Sequence, residues 1–221
     1  MYYFYVDKVR KAKKGIPEER FSKKRLYRYH REAEEEAGKS GKKEVLVVDT
    51  TKLASPVADA GKLPKEAILN VGPFLPTREV VAGGGIITRM GKKKMKVLLI
   101  FRKEKWDIAK GKLDPGETIK QCAHREVCEE LGISNVRVLD FLDTTVHGYP
   151  EDDTFVVKTT YWYHMQTPER KFTPQLDEKI TDVKWFSFEK ALSVLGHVTL
   201  VHLLQRVEDQ LRAHTPPRGA G

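Results

Sequence analysis

The spacing of hydrophobic positions changes character near residue 79, and that change divides the chain. Ahead of it the pattern is irregular. Residues 17–37 predict a helix: Pro17 suits a first turn, Glu18 and Glu19 favour the N-terminal dipole, and Gly38 supplies the stop. Its apolar residues are only Phe21, Leu26, Tyr27, Tyr29 and Ala33, so it needs a partner surface or stays partly ordered. Lys39-Ser40-Gly41-Lys42 reads as a break, Val45-Leu46-Val47-Val48 as a short buried strand, and residues 55–65 as loop. Gly72-Pro73 through Pro76 marks a boundary.

Beyond residue 79 the pattern is regular. Residues 80–90 form an apolar strand containing Gly83, Gly84 and Gly85, and a Gly91-Lys92-Lys93-Lys94 turn leads to a second strand over 96–101. No helix follows the three glycines, so close backbone approach in a sheet explains them better than a phosphate loop. Residues 118–131 predict a helix with Ala123, Val127 and Leu131 facing a core and Gly132 as its stop. Strands over 136–146 and 154–165 follow, joined by a polar turn over 147–153, then a strand over 183–186 and helices over 188–195 and 198–213. The last helix carries Leu200, Leu203, Leu204, Val207 and Leu211 on one stripe, which packs on the sheet or on a second subunit of a homodimer. The order of elements predicts an α/β class with a mixed sheet between helices. It divides into a basic N-terminal extension or small subdomain over 1–78, a main domain over 79–214, and a disordered tail over 215–221.

Charge adds one feature. The net charge is +9, and residues 1–43 hold 14 Lys and Arg against 7 Asp and Glu. Such a surplus steers nucleic acid or phosphorylated ligands, or simply solvates a helix face. No apolar run approaches the ~18 residues of a membrane span, and the apolar start at residues 1–6 is too short for a signal-peptide core. Cys122 and Cys128 lie in the same predicted helix and suggest neither a disulfide framework nor a zinc site. A cytoplasmic protein without membrane association is expected.

The candidate chemistry lies between residues 111 and 133. Gly111 is followed by Glu117, then Arg125-Glu126-Val127-Cys128-Glu129-Glu130, then Gly132-Ile133. Residues three and four apart are neighbours on a helix, so Glu126, Glu129 and Glu130 project from one side and repel one another unless a cation neutralises them. Every fixed position of this stretch resembles the Nudix box, the signature of hydrolases that act on a nucleoside diphosphate linked to another group. The resemblance implies an α/β/α sandwich and a Mg2+ site, or Mn2+ in its place. It implies Glu126, Glu129, Glu130 and the Gly111 carbonyl as metal ligands, with Glu126 the first choice for the base that activates water. It also implies that Glu117 and Arg125 pair to fix the loop against the helix.

Upstream, Trp106-Asp107-Ile108-Ala109-Lys110-Gly111-Lys112 resembles Nudix enzymes of dinucleoside polyphosphates or diphosphoinositol polyphosphates, departing at Ala109 where those relatives usually carry proline. In that reading Arg102, Lys110 and Lys112 meet substrate phosphates; in the plainer one the lysines face solvent. Tyr149 lies 16 residues beyond Ile133, where dinucleoside polyphosphate hydrolases carry a tyrosine, while ADP-ribose hydrolases carry a proline and Pro150 is adjacent. It stacks on a base or is an ordinary turn residue. Three functions stay open: a Mg2+-dependent pyrophosphohydrolase of a dinucleoside polyphosphate or similar phosphate-rich nucleotide, the same chemistry on ADP-ribose or a damaged nucleoside triphosphate, and a nucleotide-sensing regulator whose basic N-terminus touches nucleic acid.

Overall fold

A computed structural model describes residues 2–8, 23–41, 43–53 and 63–215. Contacts divide the chain into two compact units, residues 1–80 with 146–158, and residues 81–145 with 159–221.

The first unit is built on a three-stranded sheet in which β1 (Tyr2–Lys8) lies between β2 (Leu26–Tyr27) and β3 (Lys43–Asp49), antiparallel to both. Alternation along the strands gives each face its own core. Phe4, Val6, Val45 and Val47 pack with Ala33 of helix α1 (His30–Lys39) and with Phe155 and Val157. Tyr5, Leu46 and Val48 pack with Leu63, Ala67 and Ile68. Asn70 binds the backbone of β3: its side chain accepts from the Val47 amide at 2.9 Å and donates to the Val45 carbonyl at 3.0 Å.

Here the sequence expectation needs correction. The helix predicted over 17–37 begins only at His30, because Leu26 and Tyr27 pair with Tyr5 and Phe4 and are drawn into the sheet instead. Residues 17–22 of that expectation lie outside the described residues. The apolar start of the chain is itself a strand, paired along its whole length with β3.

Strand β4 (Thr77–Met90) belongs to a seven-stranded sheet. Its path runs β10 (Ile180–Ser187), β5 (Met95–Arg102), β4, β9 (Thr154–Gln166) and β8 (Arg137–Glu151), with β6 (Lys105–Asp107) added to β5 and β7 (Lys110–Lys112) to β4. The expected strands at 136–146 and 154–165 are present but longer. Residues 147–151 extend β8 rather than forming a turn.

Both faces of this sheet are covered. Val97, Leu99, Ile86 and Trp162 pack with helices α3 (Phe188–Val194) and α4 (Val198–Ala213). The alternate residues Leu98, Ile100 and Ile87 pack with helix α2 (Ile119–Leu131) through Ala123, Val127 and Leu131. The architecture is an α/β/α sandwich around a mixed sheet. The leucine stripe of α4 is wholly buried in this core. Residues 216–221 of the expected tail lie outside the described residues, and Thr215 is buried with its Oγ1 2.7 Å from Thr88 Oγ1.

Three glycines let the two layers close on β4. A Cβ on Gly83 would stand 2.6 Å from the Ala123 amide nitrogen, and one on Gly85 2.7 Å from Val127; one on Gly84, which points the other way, would meet the Trp162 ring at 2.6 Å. Helix α2 therefore lies against bare backbone. No helix among the described residues is long and apolar enough to cross a membrane.

Candidate active site

The start of α2 is fixed by local chemistry. Thr118 caps it, its side chain accepting from the Gln121 amide while Gln121 Oε1 accepts from the Thr118 amide, a reciprocal capping box. Gly132 ends it in the left-handed conformation at φ +61°. Ahead of the cap the chain turns through Gly116, at φ +86°, and Glu117 Oε1 accepts the Asp114 amide at 2.8 Å.

Arg125 ties this loop to the helix. Its Nη2 donates to Glu117 Oε1 at 2.6 Å and its Nε to Oε2 at 3.1 Å, the two-pronged contact that holds a carboxylate in one orientation. Those bonds hold the Glu117 carboxyl down at about 2. Nη2 also donates to the Lys112 carbonyl at 3.1 Å. The remaining nitrogen, Nη1, donates to Glu126 Oε1 at 2.9 Å and to Glu129 Oε2 at 3.1 Å. Two box carboxylates thus converge on one cationic nitrogen.

Glu126 lies against β7. A Cβ on Gly111 would sit 1.9 Å from Glu126 Oε2, so only glycine leaves that carboxylate its place. Burial raises the Glu126 carboxyl, with the Arg125 guanidinium opposing. Gly111→Ala is expected to reduce hydrolysis at least tenfold with little change in the urea midpoint, since the clash falls on the far end of a flexible side chain. Parallel rate and unfolding measurements check this; an unchanged rate would mean Glu126 works equally well displaced.

Glu130 faces elsewhere. It is 1% exposed, its Oε1 accepts from Arg102 Nη1 at 2.9 Å, and its Oε2 from the Lys110 amide at 2.8 Å. Burial outweighs these donors and pushes its carboxyl up to about 7. Beside it lies Asp107, buried, with Lys110 Nζ at 2.6 Å, the Ile108 amide at 2.8 Å and Arg102 Nε at 3.9 Å. Burial works against the charge of Asp107, but the Lys110 ammonium and these bonds prevail and hold its carboxyl below the ordinary range.

The residues singled out in the sequence therefore fall into two adjoining groups. Gly111, Glu117, Arg125, Glu126 and Glu129 form one. Arg102, Lys110 and Glu130 form the other, with Asp107 as a member whose role the sequence reading passed over. The signal for it was a lone carboxylate three residues ahead of Lys110. The Lys112 side chain is exposed, and its carbonyl accepts from Arg125. Tyr149 belongs to the first unit, on β8 rather than in a turn, its ring 5.6 Å from that of His147.

Among the described residues no three acidic, histidine or cysteine side chains stand together as a metal cluster, because Arg125 engages Glu126 and Glu129 while Arg102 engages Glu130. The donor set nevertheless suits a hard divalent cation. Mg2+ takes one or two carboxylates and completes its shell with water and phosphate oxygens, and Glu126 and Glu129 already share a single cationic nitrogen.

Residues 78–207 match the NUDIX domain. Ap4A hydrolase from C. elegans, in a binary complex, is similar with a TM-score of 0.50 and 24% identity, over 60% of this chain and 97% of that one. A Listeria monocytogenes protein described as a Nudix hydrolase gives a TM-score of 0.50 and 17% identity, over 61% of this chain and 95% of that one. At such identities the likeness shows the fold, and the match over more than half the chain shows the family. With every fixed position of the box in place on α2 and its loop, this chain belongs to the NUDIX domain family and is a Nudix hydrolase acting on phosphoanhydride bonds.

Proposed function

We propose that this chain is a Mg2+-dependent pyrophosphohydrolase of a dinucleoside polyphosphate or a similarly phosphate-rich nucleotide. The observation that carries the metal reading is the convergence of Glu126 and Glu129 on one nitrogen of Arg125, beside Gly111. A divalent cation would compete with that nitrogen for both carboxylates, with the Gly111 carbonyl as a further donor. Bound there, it would neutralise the diphosphate oxygens and lower the pKa of a water. Glu126, half-buried against β7 with its carboxyl already raised, is the residue best suited to take the proton from that water.

Substrate class rests on the chain's own phosphate-facing residues rather than on the C. elegans likeness. Lys112 is exposed and makes no ion pair among the described residues, whereas Lys110 and Arg102 are held by Asp107 and Glu130. An incoming polyphosphate would draw Lys110 and Arg102 from these partners, and Asp107 positions both until then. We assign the chemistry to residues 79–214 and treat residues 1–78 as a small basic subdomain.

Purified full-length chain, offered a panel of dinucleoside polyphosphates, ADP-ribose and oxidised nucleoside triphosphates with Mg2+ or with EDTA, tests this. Turnover of a dinucleoside polyphosphate at least tenfold above the others, abolished by EDTA, is expected. Preference for ADP-ribose would replace the substrate class and keep the chemistry. EDTA-resistant turnover would remove the metal.

A further inference from the structure

A cavity of about 860 Å³ lies within the second unit, lined by the end of β4, the turn that follows it, the loop after α2, residues 166–170 and the end of α4. Five basic side chains line it, Arg89, Lys92, Lys96, Arg137 and Arg170, against one carboxylate, Glu169. That carboxylate is already engaged: Glu169 Oε1 accepts the Ser134 amide at 2.9 Å and the Asn135 amide at 2.7 Å. Arg89 lies over the Trp185 ring at 4.0 Å, which fixes its guanidinium. The other four, Lys92, Lys96, Arg137 and Arg170, take part in no ion pair among the described residues. Thr88 and Thr215 also line it, in a buried chain where Thr88 Oγ1 lies 2.7 Å from both Thr215 Oγ1 and His164 Nε2, and His214 beside them faces Asp140 at 2.9 Å.

One-signed charge around a hollow focuses the field there and raises the local concentration of anions. Four basic groups without counter-charges repel one another, and an anion bearing several charges relieves that repulsion at one stroke. Guanidinium and ammonium groups suit phosphate oxygens, and the volume is that of small-molecule sites, roughly 300–1,000 Å³. The cations come from separate segments and close on a hollow, which fits a compact anion better than an extended strand of nucleic acid. The cavity is also separate from the box. Gly83 pairs with Gly111, and Arg89 lies six residues further along the same strand, roughly 20 Å away at the usual rise per residue.

We propose that this cavity is a second, non-catalytic site for a compact polyphosphate anion. The inference does not rest on the hydrolytic reading, and its test avoids turnover. Calorimetric titration of the full chain with sodium tripolyphosphate, in EDTA, should show one saturable site that persists in Glu129→Gln. The triple variant Lys96→Gln, Arg137→Gln, Arg170→Gln should bind at least tenfold more weakly while keeping its Tm. The single variant Arg137→Glu provides the same readout should the triple lose stability. Equal affinity in the charge variants would overturn the proposal, as would loss of binding in Glu129→Gln. An oligonucleotide that displaces tripolyphosphate with an affinity rising with its length would also overturn it, making the surface a nucleic-acid interface.

Discussion

Glu126→Gln and Glu129→Gln are each expected to lower turnover by a hundredfold to a thousandfold or more, the order that follows loss of one well-placed electrostatic partner in an active site. Neither change should unfold the protein. Glutamine keeps the shape and still accepts from Arg125 Nη1, now without the charge that makes those bonds at 2.9 and 3.1 Å strong. What is lost is attraction for a divalent cation, and the two variants should differ in how that loss reads out. Glu129 is half-exposed and only a ligand candidate, so excess Mg2+ should recover part of the rate in Glu129→Gln. Glu126 is also the proposed proton acceptor, so the rate in Glu126→Gln should stay low at any Mg2+ concentration. Near-wild-type turnover in both would remove the carboxylate pair from the chemistry. Arg125→Lys separates the loop's role from the metal's, because an ammonium cannot reproduce the two-pronged contact with Glu117.

How far the sequence disclosed all this depended on whether the controlling contacts are local. The helix and its stop at Gly132 were legible because each depends on nearby residues, whereas Thr118, read as its first residue, proves to be its cap. The Glu117–Arg125 pair was legible through the family resemblance, as was the candidate role of Glu126. The division of the glutamates was not. Spacing places Glu126, Glu129 and Glu130 on one side of a helix, but the side chains are parted by partners from elsewhere in the chain: Arg125 for the first two, Arg102 and the Lys110 amide for the third. The first unit was still less legible. Tyr2 to Lys8 becomes a strand because residues 43–49, some forty positions later, run antiparallel to it. That pairing recruits Leu26 and Tyr27, which periodicity alone placed in a helix. The turn expected over 147–153 failed for a related reason, since polar residues at 147–151 read as a turn while the strand continues through them.

Glu130→Gln is expected to change the pH dependence of stability in a direction fixed by burial. In the metal-free protein this carboxyl is raised from 4.5 to about 7, so between those values the folded chain holds a proton that the unfolded chain has released. Stability from this group is therefore complete below about pH 4.5 and is lost as pH rises toward 7. At 1.36 kcal/mol per pKa unit the loss is on the order of 3 kcal/mol. Glutamine has no proton to release, so the variant's stability relative to wild type should improve over that interval and stay level above it. Urea unfolding in EDTA at pH 4.5, 6 and 8 measures this, and a constant difference between the two proteins would mean Arg102 and Lys110 offset burial fully. The same variant should lose activity if the charged carboxylate is needed in turnover, making Glu130 a residue retained against the preference of the folded state. Mg2+ then distinguishes two roles. A cation bound by Glu130 favours its charged form and should shift the wild-type stability limb to lower pH. A limb that Mg2+ leaves in place would instead assign Glu130 to positioning Arg102 and the Lys110 backbone, with Glu126 and Glu129 holding the ion between them.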